Sequence, residues 1–205
     1  MHFRNFFSWI SKIFKGRNDF TIGLYGNVNT GKSTLANRIS KDWTGEEMTK
    51  SSEIPHETRN VIKKEHVELR IDGHKININL LDMPGIATKV DYREFLPFGI
   101  KEEEAQQRAK EATKGIIEAI KWLEKVDVAL VVMDATQDPY TQVNITLLGN
   151  LEARGIPLII VANKMDLKKA NSSKIKQAFP QHKVLEVSAL TGQGMQALYK
   201  EIVKV

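Results

Sequence analysis

The stretch GNVNTGKS, residues 26–33, constrains the fold of this chain more than any other. It follows an apolar run, FTIGLY, and precedes a helical pattern over residues 32–41, with two glycines separated by four residues and then Lys and Ser. Gly26 and Gly31 let the backbone wrap tightly. The N–H groups of Asn27, Val28, Asn29, Thr30 and Gly31, continuing into Ser33 and Thr34 at the helix start, can then face phosphate oxygens. Lys32 adds a point charge and the Ser33 hydroxyl suits Mg2+. The motif alone does not separate ATP from GTP.

From Phe20 onward short apolar runs alternate with longer helical patterns, the rhythm of βα units around a mostly parallel sheet. Six strands are expected near FTIGLY, HVELRI, INLLD, VDVALVVMD, IPLIIVAN and KVLEVS, and helices near residues 32–41, 101–125, 140–154, 171–179 and 193–204. Asp72-Gly73 between two alternating segments signals one antiparallel hairpin. Ala105, Ala109, Ala112, Ile116, Ile120 and Leu123 recur at helical spacing and are the expected buried stripe of a long helix. Crossovers bring the loops after the strands to one sheet edge, where a site should form.

With 205 residues, one α/β domain over 19–205 uses nearly the whole chain. The absence of cysteine excludes disulfides, thiolate metal sites and Cys nucleophiles. Residues 1–18 hold Arg4, Lys12, Lys15 and Arg17 without an acid, which leaves 26 basic against 25 acidic residues for the rest. A domain so close to neutrality is a poor candidate for non-specific nucleic-acid binding. With no long apolar span and lysines interrupting the first segment, an intracellular, cytoplasmic location is expected.

Three further stretches fall at expected strand ends. In DMPG, residues 82–85, Asp82 can hold Mg2+ through water while the Gly85 N–H reaches a γ-phosphate. In NKMD, residues 163–166, Asp166 can accept two hydrogen bonds from the guanine ring N–H and amine. Adenine offers an acceptor there and would leave the carboxylate unpaired. Asn163 would tie this loop to its neighbours, and the stem of Lys164 can lie across the base. In SAL, Ser188, Ala189 and Leu190 complete a base pocket, with the Ala189 N–H expected to donate to the guanine carbonyl.

The ordered set GNVNTGKS, Thr58, DMPG, NKMD and SAL resembles the translation-factor-related GTPases, and within them the Era, MnmE and Der group, over residues 20–204. The resemblance implies a G domain with helices on both faces of a six-stranded, mostly parallel sheet. It also implies GTP and GDP as ligands and slow hydrolysis with Mg2+ at Ser33, Thr58 and Asp82, Lys32, Thr58 and Gly85 being the catalytic positions. IPHETRN, residues 54–60, matches the first switch, where this group tends to have Pro-Gly-Thr-Thr-Arg-Asp; His56, Glu57 and Asn60 depart from it. Ile86 stands where Ras-like proteins use Gln, as in the hydrophobic-substituted GTPases. Asn29 matches the asparagine that coordinates K+ in MnmE and Der, which implies K+-stimulated hydrolysis. A P-loop kinase or ATPase is disfavoured by NKMD.

A nucleotide-gated binding module that assembles a dimer or complex, with negligible turnover, is the alternative in a different class. Relatives also suggest a ribosome or RNA assembly factor, but the chain ends soon after SAL, without room for the RNA-binding C-terminal domain of Era. TKVDYREFLPFGIK, after DMPG, reads either as a long loop capping the core or as a nucleotide-sensitive effector surface. In residues 1–18, Phe3, Phe6, Phe7, Trp9, Ile10, Ile13 and Phe14 fill one side of a helical wheel opposite basic and polar residues. Such a basic amphipathic helix suits an anionic membrane surface, the preferred reading. The alternatives are a helix docked on the domain or a second copy, and a ribosomal surface.

Overall fold

The computed structural model describes residues 19–48, 61–71, 74–86, 91–202 and 204. Its first strand, β1 (Asp19–Tyr25), runs straight into the Gly-rich loop and α1 (Lys32–Thr44). Two long strands follow, β2 (Ile62–Ile71) and β3 (His74–Asp82), then a 3₁₀ helix over Tyr92–Phe98. α2 (Glu102–Lys121) ends in a second 3₁₀ helix, Trp122–Lys125. The remainder alternates: β4 (Val128–Asp134), α3 (Gln142–Ala153), β5 (Leu158–Asn163), α4 (Ser172–Ala178), β6 (Val184–Glu186) and α5 (Met195–Ile202).

The six strands form one sheet in the order β2-β3-β1-β4-β5-β6, with β2 and β3 antiparallel and the other pairs parallel. This is the expected α/β architecture. The hairpin register pairs Ile71 with His74; the turn residues Asp72 and Gly73 lie outside the described residues, as do residues 1–18 and the first-switch stretch 54–60 with Thr58. β2 is longer than HVELRI, starting at Ile62, and a register shift between Lys64 and Val67 interrupts its pairing. β6 is shorter than KVLEVS, ending at Glu186, although the Val187 N–H still donates to the Ala162 carbonyl of β5 at 2.9 Å.

Alternation along the strands divides the core in two. Ile22, Leu24, Leu80, Val128, Leu130 and Val132 pack beneath α1 and α5, against Leu35, Ile39, Leu198 and Tyr199. Tyr25, Leu81, Ala129, Val131, Ile160 and Ala162 face the other way, against Ala119, Leu123, Leu147, Leu151 and Ile175. The apolar stripe of α2 is corrected at Ile120; the side chains of Ala112 and Ile116 lie outside those described. Ala105 and Leu123 are buried as expected, but Ala119 is buried and Ile120 is 43% exposed. At about 100° per residue, Leu123 lies directly above Ala105, whereas Ile120 stands about 60° to one side.

Phe95 in the first 3₁₀ helix is fully buried, while Leu96 and Phe98 are 39% and 46% exposed. The stretch therefore caps the core and also presents apolar side chains outward. Among the described residues no helix is long and apolar enough to cross a membrane. Leu130 is wholly buried on a central strand, so Leu130→Ala should lower unfolding stability by about 3 kcal/mol. Urea denaturation with an unchanged m-value checks this; a loss below about 1 kcal/mol would contradict the packing described.

Candidate functional site

The loop between β1 and α1 has the backbone that its glycines predict. Gly26 (φ 147) lies so close to the Val132 carbonyl, and Gly31 (φ 89) to the Asn163 side chain, that a Cβ at either position would clash. Asn29 also takes a left-handed conformation (φ 58), which asparagine tolerates better than most residues, and its side chain is exposed. α1 starts at Lys32 with Gly31 as N-cap and no side-chain cap, and its first turn holds no acid. The positive end of its dipole is thus turned toward the loop without a side-chain cap, which favours an anion there.

Lys32 is 6% exposed, and its Nζ donates to the Asn27 carbonyl at 2.7 Å. Burial pushes its pKa down to about 8, against the pull of the Asp82 charge. Asp82, at the end of β3, is fully buried. Neither carboxylate oxygen meets a hydrogen-bond donor at bonding geometry. Burial raises its pKa, against the electrostatic pull of the nearby Ser33 hydroxyl and Lys32 ammonium. A buried carboxylate without a geometric partner, beside a serine hydroxyl, fits a divalent cation. Among the described residues no group of three His, Cys, Asp or Glu could hold a metal. Mg2+ here would draw the rest of its shell from phosphate and water. Its third expected ligand, Thr58, lies outside the described residues.

DMPG continues beside the phosphate loop. The Ile86 N–H donates to the Gly26 carbonyl at 3.1 Å, Asn27 and Ile86 form a parallel bridge, and a Cβ on Gly85 would stand 3.1 Å from the Val28 Cα. Gly85 is thus packed directly on the loop. Ile86 is half-buried against the second core cluster. One expected phosphate donor is engaged otherwise, since the Val28 N–H donates to the Asn27 side chain at 2.7 Å.

Asn163, the last residue of β5, is 2% exposed. Its Nδ2 donates to the Thr30 carbonyl at 2.9 Å, and its Oδ1 accepts from the Ala189 N–H at 3.0 Å. This is the tie between loops expected from the sequence. The Ala189 N–H, expected to be kept for a guanine carbonyl, is already engaged with Asn163. Asp166 is exposed, and its Oδ1 accepts from the Ser188 hydroxyl at 2.6 Å. The Leu190 side chain is 72% exposed.

Lys164 adopts a left-handed backbone (φ 66) and its Nζ pairs with Asp134 at 2.7 Å. Asp134 was not singled out in the sequence, although it ends β4 in direct register with Asn163. Burial works to raise its pKa, but hydrogen bonds from Lys164 and from both the N–H and hydroxyl of Thr136 overcome it and leave the pKa below the ordinary value. A cleft of about 360 Å3 lined by Asn29, Asp134 and Lys164 flanks the loop on this side. Another, of about 290 Å3, lies between Thr34 and Arg38 on α1 and Ala189 and Leu190.

A family profile described as "50S ribosome-binding GTPase" matches residues 21–164. GTPase Era of Geotalea daltonii is 31% identical over 176 residues, covering 83% of this chain and 50% of that protein. The tRNA modification GTPase MnmE of Aquifex aeolicus is 31% identical over 189 residues, 92% of this chain and 35% of that protein. GTPase Der of Caldanaerobacter subterraneus is 29% identical over 196 residues, covering 90% and 38%. The chain thus spans half or less of the length of these relatives. The solved structure of Aquifex aeolicus Era bound to GDP.AlF4- shares the fold, with TM-score 0.69 at 23% identity, covering 91% of this chain and 56% of that one.

Two predictions test the site. Asn163→Ala leaves a buried carbonyl and a buried N–H unpaired and should cost about 3 kcal/mol of stability; calorimetry within 0.5 kcal/mol of the parent would contradict the joint. The Asp134–Lys164 pair acts with a depressed carboxyl pKa. Its contribution is complete above the unfolded carboxylate pKa of about 4 and is lost as pH falls through the lower folded value. Asp134→Asn should flatten that acid-side fall in urea midpoints, and an unchanged pH profile would refute the pairing.

Proposed function

We propose, because the chain belongs to the 50S ribosome-binding GTPase family, that it binds GTP with Mg2+ and hydrolyses it to GDP and phosphate as a nucleotide-dependent switch. The observation that carries this reading is the Asn163 side chain. It bonds the phosphate loop at Thr30 and the base loop at Ala189 at once. One ligand with phosphates at one end and a purine at the other would span those two loops.

In hydrolysis, water forms a new bond to the γ-phosphorus in line with the bond to the β,γ-bridging oxygen, which breaks; that oxygen leaves on the β-phosphate of GDP, and the proton lost by water passes to a phosphate oxygen or to solvent. Lys32 and the N–H groups opening α1 meet charge on the phosphate oxygens. Ser33 and Asp82, with Thr58, would hold Mg2+, which would supply positive charge against the phosphates. Gly85 offers its N–H to the γ-phosphate and thereby carries the switch. Ile86 has no polar atom to orient water, so position 86 does not activate the nucleophile.

Asn29 would hold K+ beside the phosphates and make turnover K+-stimulated. Ile86 also favours the second reading, a nucleotide-gated module that retains GTP to assemble a dimer or complex. The switch stretches, with Leu96 and Phe98 nearby in sequence, are the effector surface in either case. The basic and apolar sides of residues 1–18 support a cytoplasmic protein held at the inner face of an anionic membrane. Ribosome or RNA binding ranks lower, because residues 19–205 are close to neutral.

GTP at 100 times its Kd should stabilise the protein by about 2.7 kcal/mol, with no such effect from ATP and none in Lys32→Met. ATP protecting instead would overturn the assignment. Turnover should be faster in K+ than in Na+ buffers, and equal rates would remove the role of Asn29. On anionic liposomes the full chain should sediment and a chain starting at Asp19 should not; sedimentation of neither would move residues 1–18 from lipid to protein.

A further inference from the structure

The Ala189 N–H donates to Asn163 in this structure, so the next N–H of the loop bears on how a base carbonyl would be met. Arg38, two turns into α1, reaches across to this loop. Its Nε donates to the Ala189 carbonyl at 3.1 Å and its Nη2 to the Leu190 carbonyl at 2.7 Å. These are consecutive peptide planes, and a planar guanidinium grips both at once in a way an ammonium cannot.

The consequence follows from the trans peptide, in which C=O and N–H point to opposite sides. Drawing the Ala189 carbonyl toward α1 turns the Leu190 N–H away from it, and drawing the Leu190 carbonyl does the same to the Thr191 N–H. The second of these is already engaged, donating to the Ser188 hydroxyl at 3.1 Å. Among the described residues the Leu190 N–H meets no acceptor. It is the donor that Arg38 leaves presented in this loop, beside the Ser188–Asp166 pair.

Arg38 is itself held in place. Asp42, one turn on, stands 3.9 Å from its Nη1 and accepts from the Tyr199 hydroxyl of α5 at 2.7 Å. Gly192 (φ 84) lies against the guanidinium, and a Cβ there would come within 3.5 Å of it. The side chain is 28% exposed; its bond to the Ala189 carbonyl is partly buried, while that to the Leu190 carbonyl is open to water. Because α1 begins at Lys32 and Ser33, the same helix carries the phosphate contacts at its first turn and the base-loop clamp two turns later.

We infer that Arg38 is a positioning residue for purine recognition: it aims the Leu190 N–H at the carbonyl of a guanine base and couples the base loop to the phosphate-binding helix. This rests on the guanine-nucleotide reading of the site. It assigns a specificity role to a residue outside every motif in the sequence.

The test compares the full-length parent with Arg38→Ala and Arg38→Lys, using a fluorescent GDP, GTP turnover and magnesium tripolyphosphate, a ligand without a base. Arg38→Ala should weaken GDP binding at least tenfold through faster dissociation, and its turnover defect should fall on KM rather than kcat. Protection against thermal unfolding by tripolyphosphate should match the parent. Arg38→Lys, able to satisfy one carbonyl at a time, should fall between the two. GDP affinity within twofold of the parent in both variants would overturn the inference. So would an equal loss for GDP and tripolyphosphate, since that reports damage to α1 as a whole. Should Arg38→Ala not fold, Arg38→Lys alone decides: a selective loss for GDP supports the clamp, and none overturns it. A parent protein that binds tripolyphosphate but no guanine nucleotide would refute the reading of the site itself.

Discussion

Two buried hydrogen bonds made by one amide hold the candidate site together. Asn163 donates to the Thr30 carbonyl and accepts from the Ala189 N–H, and the residue is almost wholly buried. Neither bond could be replaced by water without opening the loops, so the penalty of leaving either group unpaired enforces their mutual position. The strand end sets where Asn163 sits. β5 pairs with β4 in a register that brings Asp134 beside Asn163, and Asp134 in turn holds the head of Lys164. Three loops therefore acquire one geometry from the termination of two parallel strands.

The phosphate end follows the opposite principle. The buried oxygens of Asp82 have no geometric hydrogen-bond partner, Lys32 is held in a pocket that lowers its pKa, and α1 opens without a side-chain cap. Each of these is unfavourable for a folded protein taken alone. Together they form an arrangement of charges and donors suited to phosphate with a divalent cation, which is where local polar imbalance is expected in a site. The contrast between a satisfied joint at Asn163 and an unsatisfied cradle at Asp82 separates what positions the ligand from what meets its charge.

Much of this was legible in the sequence, because strand periodicity and turn chemistry are local. GNVNTGKS, DMPG, NKMD and SAL each announce a backbone conformation, and all fall at the sheet edge where parallel topology gathers loops. What the sequence could not show depends on register or on angles along a helix. The role of Asp134 emerges only when β4 and β5 are aligned. The exposure of Ile120 reflects the turn of α2 about its axis, and the engagement of the Ala189 N–H reflects the distance between two loops far apart in the chain. Arg38 carries no motif signal, since its partners are backbone carbonyls about 150 residues away. The short helix at Tyr92–Phe98, with Pro97 inside it, lacks the periodicity by which longer helices are read.

The central claim is that the loop at Asp166 reads guanine. Xanthine differs from guanine by a carbonyl in place of the exocyclic amine, so a carboxylate that accepts from guanine would repel it and an amide would not. The most direct measurement is therefore the affinity of the full chain and its Asp166→Asn variant for GTP and XTP with Mg2+. The account predicts that the parent prefers GTP by at least a hundredfold and that the variant inverts the preference. If the variant keeps its preference for GTP, or the parent binds both nucleotides alike, Asp166 does not face the base and the assignment of this pocket is wrong.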